Sequence, residues 1–180
     1  LRAFDMGGGL GIRYRHERPP TAAEFARAVT PQLKKMGLRI LLEPGRFIVG
    51  NAGILVSRVI FTKESGGKRF VIQDGGMNDL IRPSLYGAYH QIVPLEINGR
   101  DAETVDVVGP LCESGDFFAL DRKLPRMERG EYLALMCAGA YGYTLSSNYN
   151  ARPRPAEVLI DGTTRTLIRR RETIEELNGG

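Results

Sequence analysis

The pattern of apolar residues changes character near residue 50, and that change limits what the chain can fold into. Before it, Leu1–Met6 is a short apolar run ending in Gly7–Gly8–Gly9, a strand followed by a loop. Thr21–Ala22–Ala23–Glu24 spells a capping box: the Thr21 hydroxyl can accept from the Glu24 amide while the Glu24 carboxylate reaches back. Phe25, Val29, Leu33 and Met36 follow at helical spacing and predict a helix with one apolar face. Pro31 predicts a kink within it, and Gly37 predicts its C-terminal stop. Leu38–Leu42 is a compact strand closed by Glu43–Pro44–Gly45–Arg46. Strand, helix, strand, with polar residues just beyond each strand, marks a parallel α/β unit whose sites lie at the strand C-terminal ends.

After residue 50 the runs are short and the turns frequent. Ile54–Thr62 and Arg69–Gln73 flank Glu64–Ser65–Gly66–Gly67–Lys68 and predict a hairpin. Gln91–Ile97, Thr104–Val108, Tyr132–Met136, Ala156–Ile160 and Arg165–Ile168 read as further strands, the last two joined through Asp161–Gly162. Ile174–Leu177 predicts a short terminal helix. The expected fold class is therefore α/β plus all-β. Residues 1–50 read as the C-terminal remnant of a TIM-like (β/α)8 barrel. Residues 51–180 read as an all-β domain, a β-sandwich or a Greek-key β-barrel.

Composition narrows the function classes. The net charge is +4, but the arginines are scattered and no aromatic residues interleave with a basic run, so nucleic acid is not an expected partner. Arg169–Arg170–Arg171 lies beside Glu172, Glu175 and Glu176 and reads as a solvated face. An anionic cofactor or substrate is the better use of this charge. There is no apolar stretch of 18 residues, so no membrane span is expected. Cys112 and Cys137 form no CxxC, which suits a reducing, cytoplasmic compartment. His16 and His90 lack metal-like spacing; no metal site is expected, and His90 reads as structural. The chain opens on Leu1–Asp5 as if in mid-strand, the reading expected of a fragment.

Two short motifs point to chemistry. Gly7–Gly8–Gly9–Leu10–Gly11 is not a dinucleotide fingerprint, since G-x-G-x-x-G fails at Ile12. A glycine-rich turn after a strand exposes N–H groups that suit a phosphate, although it serves equally as a tight turn. In Glu43–Pro44–Gly45–Arg46, Pro44 holds Glu43 extended and Gly45 permits close approach of a ligand. Glu43 could then hold a ring nitrogen protonated; a surface turn is the alternative.

Together these motifs resemble the phosphate and pyridine sites of the alanine-racemase-like pyridoxal-phosphate-dependent decarboxylases. The resemblance continues through Asp74–Asp79, Arg82–Tyr89, Cys112–Asp116, Ala138–Gly142, Ser146–Asn150 and Arg152–Pro155, in the order that family shows, and covers nearly the whole chain. It implies pyridoxal 5′-phosphate as cofactor, with Gly9, Pro44 and the backbone of Gly45 and Arg46 around the phosphate. It places Glu43 at the pyridinium nitrogen and Tyr141 near phosphate and substrate. Arg46, Arg82 and Tyr86 would hold a distal substrate carboxylate, for which the planar guanidinium fork is suited. Glu113 would bind a distal ammonium. Cys112 would protonate the carbanion left after CO2 departs, or else be a buried structural cysteine, the reading given to Cys137. The resemblance also implies a homodimer in which Cys112 and Glu113 reach the partner's active site.

Two positive groups and one acid suit a distal amino-acid head group. The implied reaction is decarboxylation of meso-diaminopimelate to L-lysine, the last step of lysine biosynthesis. Ornithine, arginine or carboxynorspermidine as substrate, and a non-catalytic β-domain serving dimerisation, are the alternatives. The family's Schiff-base lysine has no match among Lys34, Lys35, Lys63, Lys68 and Lys123. The expectation is that an N-terminal barrel half is missing and that the chain alone is inactive.

Overall fold

The computed structural model describes residues 1–97 and 99–179. Strands β1 (Ala3–Asp5) and β2 (Arg39–Leu41) pair in parallel, with Phe4 opposite Ile40. Helix α1 (Ala22–Lys34) connects them. Its capping box forms as the sequence predicts: the Glu24 amide donates to the Thr21 hydroxyl at 3.2 Å, and the Thr21 amide donates to the Glu24 carboxylate at 2.8 Å. The helix runs on through Pro31 to Lys34, and Gly37 turns left-handed (φ +63°) beyond its end. Residues 1–50 thus form one parallel β-α-β unit plus the short helix α2 (Gly45–Val49).

The larger part is a single six-stranded sheet. It is built from β3 (Leu55–Ser65), β4 (Lys68–Gln73), β5 (Ile92–Pro94), β6 (Ala102–Val108), β7 (Phe117–Pro125) and β8 (Tyr132–Leu135), in the order β5-β8-β3-β4-β6-β7. All its ladders are antiparallel except β4 with β6. The outer strands approach each other: Arg122 of β7 donates to the His90 carbonyl, just before β5, at 2.8 Å. The sheet is therefore a nearly closed barrel, not the two facing sheets of a sandwich. Alternate side chains fill it, with Val59, Val71, Val105, Val107, Phe118, Leu124, Leu133 and Leu135 buried together. Leu80 and Met127 join this core from the connections. Each large side chain so buried contributes roughly 1.5–3 kcal/mol.

Two local features set the register. Ser65 pairs with Lys68, so the β3–β4 turn is the two-residue Gly66–Gly67 (φ +58° and +75°), shorter than the five-residue loop the sequence suggested. In β7 the Asp121 backbone is left-handed (φ +48°) and its N–H donates to the Asp106 carboxylate at 2.7 Å, producing a bulge against β6. The five-residue helix α3 (Arg82–Tyr86) follows β4, and β9 (Glu157–Asp161) with β10 (Thr164–Arg169) forms a separate, largely exposed hairpin. The terminal helix α4 (Ile174–Leu177) begins at a second capping box, Thr173 with Glu176. Among the described residues no helix is long and apolar enough to cross a membrane.

Candidate active site

Because β1 and β2 are parallel, the loops after them emerge on the same edge, and the two glycine motifs meet there. The Glu43 amide donates to the Gly7 carbonyl at 2.9 Å. Gly7 and Gly9 are left-handed (φ +74° and +89°), a conformation open to glycine at little cost. A Cβ on Gly8 would sit 2.4 Å from the Glu43 carbonyl oxygen, so the loops can close only around glycine. The Gly45 amide donates to the Glu43 carbonyl at 2.8 Å and tightens the turn into α2. Gly9, Glu43 and Gly45 are exposed along this rim, and Pro44 and Arg46 are half-buried.

A second loop is clamped against α2 by backbone contact. The Ala138 amide donates to the Gly53 carbonyl at 2.8 Å, and the Gly139 amide to the Gly50 carbonyl at 3.2 Å. A Cβ on Gly139 would lie 2.0 Å from the Val49 carbonyl oxygen. This contact carries the following residue pair, buried Ala140 and exposed, left-handed Tyr141 (φ +60°), to the α2 side of the molecule.

Arg82 comes in from α3. It is only 7% exposed, and its guanidinium lies over the rings of Tyr14 (5.1 Å) and Tyr141 (5.9 Å). Its Nη1 donates to His90 Nε2 at 2.9 Å. The other ring nitrogen, Nδ1, lies 2.8 Å from the Met136 carbonyl, which can only accept. The proton therefore sits on Nδ1 and His90 is neutral. Burial pushes the His90 pKa down; the bond to Met136 raises it, and the nearby charges of Arg82 and Arg122 lower it. Among the described residues no carboxylate pairs with Arg82. The buried Tyr14 hydroxyl has no hydrogen-bond partner among the described residues. Tyr86, one helical turn beyond Arg82, is exposed.

Cys112 and Glu113 occupy a different loop, organised by the buried Asp116. Its carboxylate accepts from the Met77 amide (2.7 Å) and the Leu111 amide (2.6 Å), and Gly109 leaves it room. The Ser84 hydroxyl of α3 donates to the Gly115 carbonyl, tying this loop to the helix that carries Arg82. Glu113 accepts from the Gly115 amide (3.2 Å) and the Tyr149 hydroxyl (3.0 Å), which hold its carboxyl below the usual carboxylate range. The Cys112 thiol is exposed, so the reading of it as a buried structural cysteine does not hold. Cys137 is half-buried, donates to the Asn51 side chain at 3.2 Å, and has its thiol pKa pushed up by burial.

The structure therefore joins Gly7–Gly9 with Glu43–Arg46, and Tyr141 with Arg82. Among the described residues, no contact links Cys112 or Glu113 directly to the glycine rim. Tyr14, Asp116 and Tyr149 were not singled out from the sequence, and His90 was read there as structural. Tyr14 and His90 carry no local signal; Asp116 and Tyr149 lie inside motifs that were noted as a whole.

Residues 21–139 match the protein family described as "Pyridoxal-dependent decarboxylase, C-terminal sheet domain". A diaminopimelate decarboxylase of Aquifex aeolicus is 51% identical over 176 residues, covering 97% of this chain and 42% of the relative. A solved structure from the same organism superposes with a TM-score of 0.97 at 49% identity, over 99% of this chain and 45% of the other. A Helicobacter pylori diaminopimelate decarboxylase complexed with L-lysine gives 0.92 at 42% identity, over 98% and 44%. The chain thus spans less than half the length of these relatives.

Proposed function

The chain belongs to the pyridoxal-dependent decarboxylases, in their C-terminal sheet domain, and from that premise we propose that it forms part of an enzyme converting meso-diaminopimelate to L-lysine. One observation carries the reading: Arg82 is a buried guanidinium with no anionic partner among the described residues, set against Tyr14 and Tyr141. A buried charge is costly unless paired, and a distal substrate carboxylate supplies the pair. The relatives' names support this choice of substrate.

The residues present fit pyridoxal 5′-phosphate. Gly8 closes the two loops into one backbone-lined rim that any side chain would disrupt. When bound, the cofactor would supply an electron sink for the pair left on the substrate carbon when CO2 departs. Gly9, Gly45 and Arg46 border the phosphate through their backbone, and Pro44 fixes the turn. Glu43 would hold the ring nitrogen protonated, and Tyr141 would lie near the phosphate and the substrate. Arg46, Arg82 and Tyr86 bind the distal carboxylate, while Glu113, kept ionised by Gly115 and Tyr149, binds the distal ammonium. Cys112, with its exposed thiol, delivers a proton to the substrate carbon in the partner's site, so the active form is a homodimer with shared sites.

In the same reading residues 1–50 are the C-terminal part of a (β/α)8 barrel and residues 51–180 the β-domain. An apolar groove of about 630 Å³ between α1 and the β1–β2 edge, lined by Phe25, Val29, Leu33, Ile40 and Phe47, supports it. Phe4, Leu41, Leu42 and Ile48 are exposed nearby. An N-terminal half bearing the cofactor-anchoring lysine would cover these side chains. The two free cysteines suit a cytoplasmic enzyme.

The test is reconstitution. The chain with cofactor and diaminopimelate should release no CO2, and addition of the N-terminal half of a relative should restore lysine formation. Activity of the chain alone, or a reconstituted enzyme that prefers ornithine, would overturn the reading.

A further inference from the structure

We infer that His90 is a positioning residue for the substrate carboxylate, acting through Arg82 as a neutral hydrogen-bond acceptor that fixes the guanidinium without neutralising it. The inference rests on the reading of Arg82 given above. Buried arginines are ordinarily held by carboxylates. A carboxylate at this position would orient the guanidinium but compete with the ligand for its charge. A neutral imidazole satisfies one N–H and leaves the whole positive charge for an incoming anion.

The surroundings keep the imidazole in that state and in place. His90 is completely buried, and the Met136 carbonyl at Nδ1 fixes the proton on the far side, so that Nε2 presents a lone pair to Arg82 Nη1. Tyr14 packs edge-on to the imidazole at 5.6 Å between ring centres and also lies under the guanidinium. Arg122 bonds the His90 carbonyl and so pins the backbone from β7. A proton on Nε2 would remove the acceptor and set a like charge against Arg82, and burial opposes it. The motif Arg82–Tyr89 is thus followed by the residue that aims its first member.

The experiment uses the complete enzyme with His90→Leu, His90→Gln and His90→Glu. Lysine, which keeps the distal carboxylate, is compared with cadaverine, which lacks it, as inhibitors of decarboxylation. In His90→Leu the KM for diaminopimelate and the inhibition constant of lysine should both rise about tenfold or more, the size expected when one hydrogen bond to a charged group is lost. The inhibition constant of cadaverine and kcat should stay within about threefold. His90→Gln, which offers both an acceptor and a donor, should restore most of the lysine affinity. His90→Glu should weaken lysine binding even in a well-folded enzyme, because its carboxylate takes the Arg82 charge; this arm decides the matter if the Leu variant does not fold. Unchanged lysine inhibition in the Leu or Glu variant overturns the inference, as does equal loss of lysine and cadaverine affinity. If the unmodified enzyme fails to favour lysine over cadaverine, the assignment of Arg82 to the carboxylate falls first.

Discussion

Gly139→Ala isolates the contact that joins the Tyr141 loop to α2. The added methyl would lie 2.0 Å from the Val49 carbonyl oxygen and 2.8 Å from the Gly53 nitrogen, both backbone atoms that cannot swing aside. The loop has to lift, which costs about 1–3 kcal/mol for overpacking. Lifting also strains or breaks two hydrogen bonds, Ala138 to Gly53 and Gly139 to Gly50, at roughly 1 kcal/mol each. A loss of about 3–5 kcal/mol results, or about 1.5–2.5 M in urea midpoint for a slope of about 2 kcal/mol per M. Gly45→Ala is the contrast, since a Cβ there meets nothing within 4 Å and Gly45 is not left-handed. Its stability should be unchanged or higher by a few tenths of a kcal/mol. In the complete enzyme, however, Gly45 lies on the rim proposed for the phosphate, and a methyl there should lower cofactor affinity. Urea titration and cofactor titration of both variants separate the effects: Gly139→Ala loses both properties, Gly45→Ala only the second. A Gly139→Ala protein with an unshifted midpoint would refute the packing argument.

Three further outcomes follow from the same geometry. Asp116→Ala strands the Met77 and Leu111 amides and should cost roughly 3 kcal/mol in thermal unfolding, with Asp116→Asn intermediate because one acceptor oxygen remains; equal stability of the two variants counts against the account. His90 has its pKa below the ordinary 6.5, so below about pH 6.5 the unfolded chain takes up a proton that the folded chain refuses. Its contribution is complete above that pH and is lost as pH falls toward the folded value; denaturation from pH 7.5 to 5.5 should therefore show a shallower decline in His90→Gln, and identical slopes would contradict it. A thiol reagent should label Cys112 rapidly and Cys137 slowly, and a fast phase surviving in Cys112→Ser would overturn that assignment.

The parts of the fold legible in the sequence are those fixed by neighbours along the chain. Thr21 with Glu24 announces α1 because both partners of the capping box are three residues apart. Gly66–Gly67 announces the β3–β4 hairpin because the turn itself demands left-handed residues. Strand β7, which carries Lys123, escaped because the Asp121 bulge breaks the alternation midway through Phe117–Pro125. The helices α2 and α3 have five residues each, too few for a 3.6-residue period to register. Closure of the sheet depends on β4 pairing in parallel with β6, whose partners lie far apart in the chain, Phe70 opposite Asp106, and no local pattern encodes it.

The same division runs through the site. The rim at Gly7–Gly9 and Glu43–Arg46 could be anticipated because it is built from backbone, and glycine and proline are how a sequence writes backbone conformation. Residues whose task is to hold another side chain leave no such mark. His90 is buried, as a structural histidine would be, and only the folded arrangement turns its free nitrogen toward Arg82. A search for partners of Arg82 by opposite charge would have failed as well, since the partner is neutral. That neutrality is also what makes the pair useful: a guanidinium already matched to a carboxylate would have little left to offer a substrate, whereas one steadied by imidazole and two tyrosine rings keeps its charge for whatever anion enters.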